Sequence, residues 1–217
     1  MSEHGISHPS GITPGELPGD STAGLAAYLS AGIGVVSTAA LGAMYAVEVP
    51  RGGPYRFGAV NDFTGGLFFA TTIPAIIQVH RRLPRSRASR IGLASVVTAS
   101  GAASASGILL ALKLIPFVPS TVVTMAGIIS QAAWVALTQH LLLRHPGYPT
   151  GLARTGRGIG VTMVAALPVV AAGYAAQSAP GLQKVLYGVG GGVGAVAYIG
   201  WPLWLFALGR NLRQESD

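Results

Sequence analysis

The sequence of 217 residues contains no cysteine. A disulfide scaffold, an iron–sulfur cluster, a thiolate zinc site and a cysteine nucleophile are therefore excluded. Charge is scarce as well, because only 10% of the residues are Asp, Glu, Lys or Arg, whereas soluble domains carry about 25%. With a mean hydropathy of +0.53, the composition favours a chain whose main solvent is lipid.

The motifs of several enzyme classes are missing too. The sequence has no G-x-S-x-G, no Walker A motif, no histidine box and no pair of mid-membrane carboxylates. A G-x-G-x-x-A pattern is present at Gly190, Gly192 and Ala195, but it lies inside an apolar run and no strand precedes it, which argues against a dinucleotide site. The cations lie between apolar runs, so nucleic acid is not an expected partner. The sequence thus indicates no catalytic residue, no metal site and no required cofactor.

What the sequence does contain is six long runs without a charged residue. They cover residues 21–47, 63–79, 91–112, 114–143, 158–183 and 185–209. A helix needs about 20 apolar residues to cross the hydrocarbon; the second run reaches this length if it begins at Asn61 or Asp62 and ends at His80. The sequence therefore predicts an all-α membrane protein, a six-transmembrane-helix bundle that forms a single domain over residues 21–209.

An internal repeat is a further interpretation of the same runs. Each even-numbered run is followed by arginine, near Arg81, Arg144 and Arg210. The odd-numbered runs share a small-residue composition, so the chain is also compatible with three consecutive helical hairpins of similar length.

The cations predict the orientation of the chain in the membrane. If the amino terminus is cytoplasmic, four of the 14 cations are external, namely Arg51, Arg56, Lys113 and Lys184, and the other ten are cytoplasmic. The positive-inside bias then places both termini in the cytoplasm. The arginine-rich composition is typical of bacterial coding, so the predicted location is a bacterial plasma membrane, with multi-pass topology.

The two ends of the chain are polar. Residues 1–20 contain no Lys or Arg, which a secretory signal would need before its apolar stretch. They are predicted to form a disordered cytoplasmic tail, because their composition cannot bury apolar surface. Residues 210–217 are predicted to form a second, short cytoplasmic tail.

Uncharged polar side chains recur on one face of several runs. Thr64, Thr71 and Gln78 follow one another every seven residues, and so do Gln131 and Thr138, which places each set on one helix face. Inside lipid such a face should turn inward. The residues expected at similar depth are Ser37, Thr71, Gln131 and Tyr198. They are predicted to line a cavity that binds or passes a small neutral solute, although they would serve equally as interhelical hydrogen bonds.

The segment from Gly188 to Gly194 is rich in glycine. Its glycines are Gly188, Gly190, Gly191, Gly192 and Gly194. Their G-x-x-x-G spacing favours close helix packing, while the low helix propensity of glycine also allows a hinge. Packing by small residues supports a second hypothesis, in which the chain is a non-catalytic accessory or scaffolding subunit that binds a partner membrane protein or another copy of itself.

Two other groups of residues are candidates for a functional role. His80 and His140 lie near the same end of two even-numbered runs and could ligate a haem axially, which is the third hypothesis; the alternative is that they are interfacial histidines. Near the other end, a mixed-charge group is expected to form an ion-pair collar, with a gate or an anionic-ligand funnel as the alternative. Its residues are Glu48, Arg51, Arg56, Asp62, Lys113 and Lys184.

In architecture alone, six spans with internal termini and small-residue motifs resemble the membrane-embedded substrate-binding subunits of vitamin importers. No motif of that family can be placed on residues of this sequence. The resemblance therefore implies little beyond the helical membrane architecture.

Overall fold

The fold, a computed structural model, is described for residues 20–145, 147–176 and 178–214. Over these residues it is helical and has no strand. The long helices are α1 (Asp20–Ala43), α2 (Arg56–Arg81), α3 (Arg87–Ala111), α4 (Phe117–Leu142), α5 (Thr150–Ala175) and α6 (Pro180–Gln214). The predicted all-α bundle is confirmed. The N-terminal tail lies outside the described residues, except that Asp20 begins α1, and residues 210–214 of the predicted C-terminal tail continue α6.

Most of the long helices could cross a bilayer. By length and composition, α2, α3, α4, α6 and the segment 21–51 that contains α1 are long and apolar enough to span a membrane. α5 has 26 residues, the length of α4, and packs between α4 and α6.

Large apolar side chains cover the outside of the bundle, for example Leu25, Val122 and Val196, which are 61–72% exposed. Such a surface suits lipid and would aggregate in water. The chain is therefore a multi-pass membrane protein, whereas its orientation stays a prediction.

The helices close a ring in chain order. Each long helix packs against its neighbours in the chain, and α6 returns to pack against α1. Because the connectors are short, neighbouring helices are antiparallel. One end of the ring, here called the basic end, carries the connectors 82–86 and 143–149 and the end of α6; the other, called the Glu48 end, carries the connectors 44–55, 112–116 and 176–179. Three consecutive hairpins would give this arrangement.

Glycines let the backbones of adjacent helices approach closely. A Cβ atom added to Gly107 of α3 would lie 2.7 Å from the carbonyl oxygen of Asp62 in α2. A Cβ atom added to Gly209 of α6 would lie 2.8 Å from the carbonyl oxygen of Gly24 in α1. These distances are too short for any side chain, so the backbone contacts between successive hairpins depend on glycine.

The carboxylate of Glu48 fixes the start of α2. After α1 the chain forms a short π-helix over Met44–Glu48 and a 3-10 helix over Val49–Arg51. Glu48 Oε1 accepts hydrogen bonds from the backbone N–H groups of Arg56 and Phe57, and Oε2 accepts from those of Phe57 and Gly58, at 2.6–3.2 Å. Glu48 was expected in an ion-pair collar, but it bonds to the backbone of Arg56, because the first N–H groups of a helix lack partners within the helix.

Candidate functional site

A small void lies where α2, α4 and α6 meet inside the ring. Its volume is about 10 Å³, close to the smallest that admits a water molecule. We call it the central void. Its lining residues are Thr72, Ala75, Ile76, Val79, Gln131, Trp134, Val135, Trp201, Trp204, Leu205 and Leu208. The lining is thus almost entirely apolar, apart from one hydroxyl and one amide group.

The amide group of Gln131 is the polar centre of this site. The side chain is only 1% exposed. Nε2 donates to the hydroxyl oxygens of Thr72 at 2.9 Å and Ser100 at 2.8 Å. Each of these hydroxyls donates its own hydrogen to a backbone carbonyl, that of Phe69 or Val96. Both hydroxyls must therefore accept from Gln131, which fixes the NH₂ group on their side.

The other half of the same amide has no partner. Gln131 Oε1 is buried and accepts no hydrogen bond from any residue that the structure describes. Leaving a buried acceptor unsatisfied costs about 1–3 kcal/mol, and an unsatisfied group of this kind calls for an explanation such as a bound water or ligand. Gln131 therefore offers a free acceptor beside the central void.

A second buried amide lies on α4 toward the basic end. Gln139 is 0% exposed, and its Oε1 accepts a hydrogen bond from the hydroxyl of Tyr148 at 3.1 Å. Its Nε2 is buried without a partner. A Cβ atom added to Gly156 would approach both Gln139 Cγ and Trp204 Nε1, so the Gln139 side chain lies close to one of the tryptophans that line the central void.

Ser37 and Tyr198, two of the predicted lining residues, are in contact with each other. The hydroxyl of Tyr198 lies near the Ser37 side chain, and Ser37 Oγ donates to Asn61 Oδ1 at 2.9 Å. These contacts connect α1, α2 and α6. Neither Ser37 nor Tyr198 lines the central void.

Thr71 also lies away from the central void. It is hydrogen-bonded to Ser30 of α1 at 2.8 Å, whereas its neighbour Thr72 bonds to Gln131. Successive residues on a helix point about 100° apart. The polar face predicted through Thr71 therefore identifies the correct helix and depth, but the side chain that reaches the void is that of Thr72. Of the four predicted lining residues, only Gln131 borders it.

The sequence did not single out the remaining lining residues. Trp134, Trp201 and Trp204 come from two even-numbered helices and surround the void. Because a buried tryptophan and a lipid-facing one look alike in an apolar run, no sequence signal marked them. Ser100 belongs to α3, a helix rich in small residues, and its hydroxyl reaches Gln131 from there.

The glycine-rich segment is part of the continuous helix α6. A Cβ atom added to Gly190 would lie 2.9 Å from Val170 of α5, and one added to Gly194 would lie 3.6 Å from Ala166. The glycines with no atom within 4 Å of an added Cβ are Gly188, Gly191 and Gly192. The segment therefore has one face against α5 and one face open to the outside of the ring, and its use as a hinge stays a prediction.

The two histidines lie near the basic end. His80 Nδ1 is 3.4 Å from Ser89 Oγ, and His140 Nδ1 is buried without a partner. Among the described residues no three His, Asp or Glu side chains group so as to hold a metal ion. The haem hypothesis stays a prediction, which the absorption spectrum of the purified protein tests through the presence of a Soret band.

No family model, curated protein or solved structure matches this chain. Its function therefore has to be inferred from the residues and contacts described above.

Proposed function

We propose that this protein binds a small neutral solute at Gln131 and passes it across the membrane. The observation that carries the proposal is the Oε1 atom of Gln131, a buried acceptor without a partner beside the central void. A solute with an O–H or N–H donor would satisfy it. A neutral solute is favoured because the lining of the void holds no charged side chain, so an ion would lose its hydration without compensation.

The size of the void limits the solute further. A volume of about 10 Å³ accommodates a molecule the size of water or ammonia, whereas a larger solute would require the surrounding tryptophans to move. Toward the basic end, Gln139 Nε2 is a second buried polar atom without a partner among the described residues. Water-sized molecules that both donate and accept hydrogen bonds could use these two amides in succession.

Permeability measurements on liposomes test the proposal. We expect liposomes with the wild-type protein to pass water or ammonia faster than protein-free liposomes, in stopped-flow light scattering or with an internal pH dye. Gln131→Met should abolish most of the increase, because Met fills similar space but offers no amide. Ser30→Ala is the matched control, since it removes the interhelical bond to Thr71 without altering the lining of the void.

Two results would contradict solute passage. One is a wild-type permeability equal to that of protein-free liposomes for both solutes. The other is an equal loss in Gln131→Met and Ser30→Ala, which would point to general loosening of the bundle. Elution as a single symmetric peak verifies that each variant is folded.

The accessory-subunit hypothesis has its own supporting observation. Gly188 and Gly192 are one helical turn apart, and no atom of the described residues lies within 4 Å of a Cβ added to either. Small residues gain little from contact with acyl chains but let a second helix approach closely. Under the accessory-subunit hypothesis, a partner helix binds this face of α6.

Substitution of these two glycines tests the accessory role. We expect the double change Gly188→Leu and Gly192→Leu to dissociate a homo-oligomer or a co-purified partner in mild detergent, as measured by mass photometry. Gly42→Leu is the control, because Gly42 of α1 is equally uncovered. A wild-type protein that purifies alone as a monomer would reject the hypothesis.

A further inference from the structure

A long groove runs along the outside of the ring between α5 and α6. Its volume is about 720 Å³, which lies in the range of small-molecule sites. The α5 wall includes Gly158 and Ile159, the α6 wall includes Gly200 and Leu203, and Trp204 lies between them. Gly158 is open, with no atom within 4 Å of an added Cβ. The groove is therefore an apolar trough accessible from the surrounding lipid.

The end of the groove at the basic end is polar and cationic. Arg210, Asn211 and Gln214 line it there, together with the first turn of α5 at Gly151. The first turn of α5 has no side-chain cap, unlike that of α3, where Ser86 accepts from Ser89. Uncapped N–H groups and the positive end of the helix dipole attract anions, and Arg210 adds a full positive charge.

A ligand that sits at this end should present a negative group to Arg210 and to the start of α5. The headgroup of phosphatidylglycerol does so through its anionic phosphate.

The length of the groove matches one acyl chain. The apolar lining of the α6 wall extends from Val196 to Ala207, which are eleven positions apart, or about 16 Å at 1.5 Å per residue. One leaflet contributes about 15 Å of the hydrocarbon thickness. The cationic end thus lies at headgroup level when the apolar trough spans the acyl region of a single leaflet.

We infer that the groove between α5 and α6 is a binding site for an anionic phospholipid, with one acyl chain along Ile159 and Leu203 and the phosphate at Arg210. The charge at one end and the apolar trough of leaflet length both favour an amphipathic ligand with an anionic headgroup. The site is open to the outside of the ring and does not depend on solute passage at Gln131.

Native mass spectrometry of the full-length protein in detergent, with added dioleoyl phosphatidylglycerol or dioleoyl phosphatidylcholine, tests this site. We expect the wild type to retain phosphatidylglycerol in preference to phosphatidylcholine. Arg210→Gln should weaken phosphatidylglycerol binding about fivefold, since one cation near a lipid headgroup contributes about 1 kcal/mol. Arg213→Gln is the matched control, because Arg213 is on the same helix but packs near Gly24 of α1.

A second pair of variants tests the acyl trough. Gly158→Leu places a side chain in the groove and should reduce the binding of both lipids. Gly92→Leu should leave binding unchanged, because Gly92 of α3 is equally uncovered and lies away from the groove.

Each alternative outcome would overturn the inference in a recognisable way. Equal losses in Arg210→Gln and Arg213→Gln would show unspecific attraction to the basic end. Competition by inorganic phosphate at millimolar concentration would show a free-anion site. Unchanged lipid binding in Gly158→Leu, with or without a change of oligomeric state, would show that no acyl chain lies in the groove.

Discussion

Gly107→Ala is expected to destabilise the protein more than the same change at Gly92 or Gly101, the other two glycines of α3. The added Cβ would lie 2.7 Å from the carbonyl oxygen of Asp62 and 3.2 Å from the Cα atom of Gly66. Both are backbone atoms of α2 and cannot rotate away, so the two helices have to separate. Overpacking of this kind costs about 1–3 kcal/mol, which exceeds the gain of up to about 1 kcal/mol from the better helix propensity of alanine.

Gly101→Ala on the same helix is the matched control for this prediction. Gly101 has no atom within 4 Å of an added Cβ and is exposed on α3. Thermal unfolding in detergent, followed by loss of monodisperse protein, should show a lower midpoint for Gly107→Ala and an unchanged or higher midpoint for Gly101→Ala. Equal midpoints for the two variants would mean that α2 and α3 do not cross as closely as described.

Removal of the Glu48 carboxylate is the second change with a large expected effect. Glu48 is 5% exposed and accepts from three consecutive N–H groups at the start of α2. Glu48→Ala leaves those donors without the carboxylate, the donor of Gly58 in a buried position, and removes a negative charge from the positive end of the helix dipole. Hydrogen bonds to a charged group contribute about 1.5–3 kcal/mol, and a charge at a partly buried helix end up to about 2 kcal/mol. We expect a loss of about 2–3 kcal/mol.

Two further variants test the origin of the Glu48 effect. Glu48→Gln keeps one acceptor oxygen and should lose less stability than Glu48→Ala. Ser86→Ala removes the exposed cap of α3 and should cost about 1 kcal/mol. If unfolding midpoints show Glu48→Ala to be no worse than Ser86→Ala, the buried carboxylate does not hold the start of α2.

Part of the candidate site could be predicted from the sequence. The spacing of Gln131 and Thr138 placed both on one face of α4, and both are buried there. Their depth followed from the limits of the apolar run, because a helix advances by a fixed rise per residue. What could not be predicted was the partner of each side chain. Ser37, Thr71 and Gln131 were expected around one cavity, but they bond to Asn61, Ser30 and Thr72, respectively.

The glycines of α3 show why a local sequence pattern does not predict which face of a membrane helix is buried. Gly101 and Gly107 lie six positions apart among similar small residues, yet one faces outward and the other meets the backbone of α2. In a soluble protein the hydrophobic effect would separate these faces in the sequence. Here lipid and protein interior are equally apolar, so the pattern of apolar residues gives little information on which face is buried.

By itself the sequence determined the solvent, the helical class and the limits of most spans, because in hydrocarbon every backbone N–H and C=O group has to be paired within its own segment. The closure of the ring by α6 on α1, the central void at Gln131 and the groove between α5 and α6 were decided only by the tertiary structure. These features depend on which helix faces meet, and helices that associate without a hydrophobic driving force select one another by shape and by a few hydrogen bonds between residues far apart in the chain.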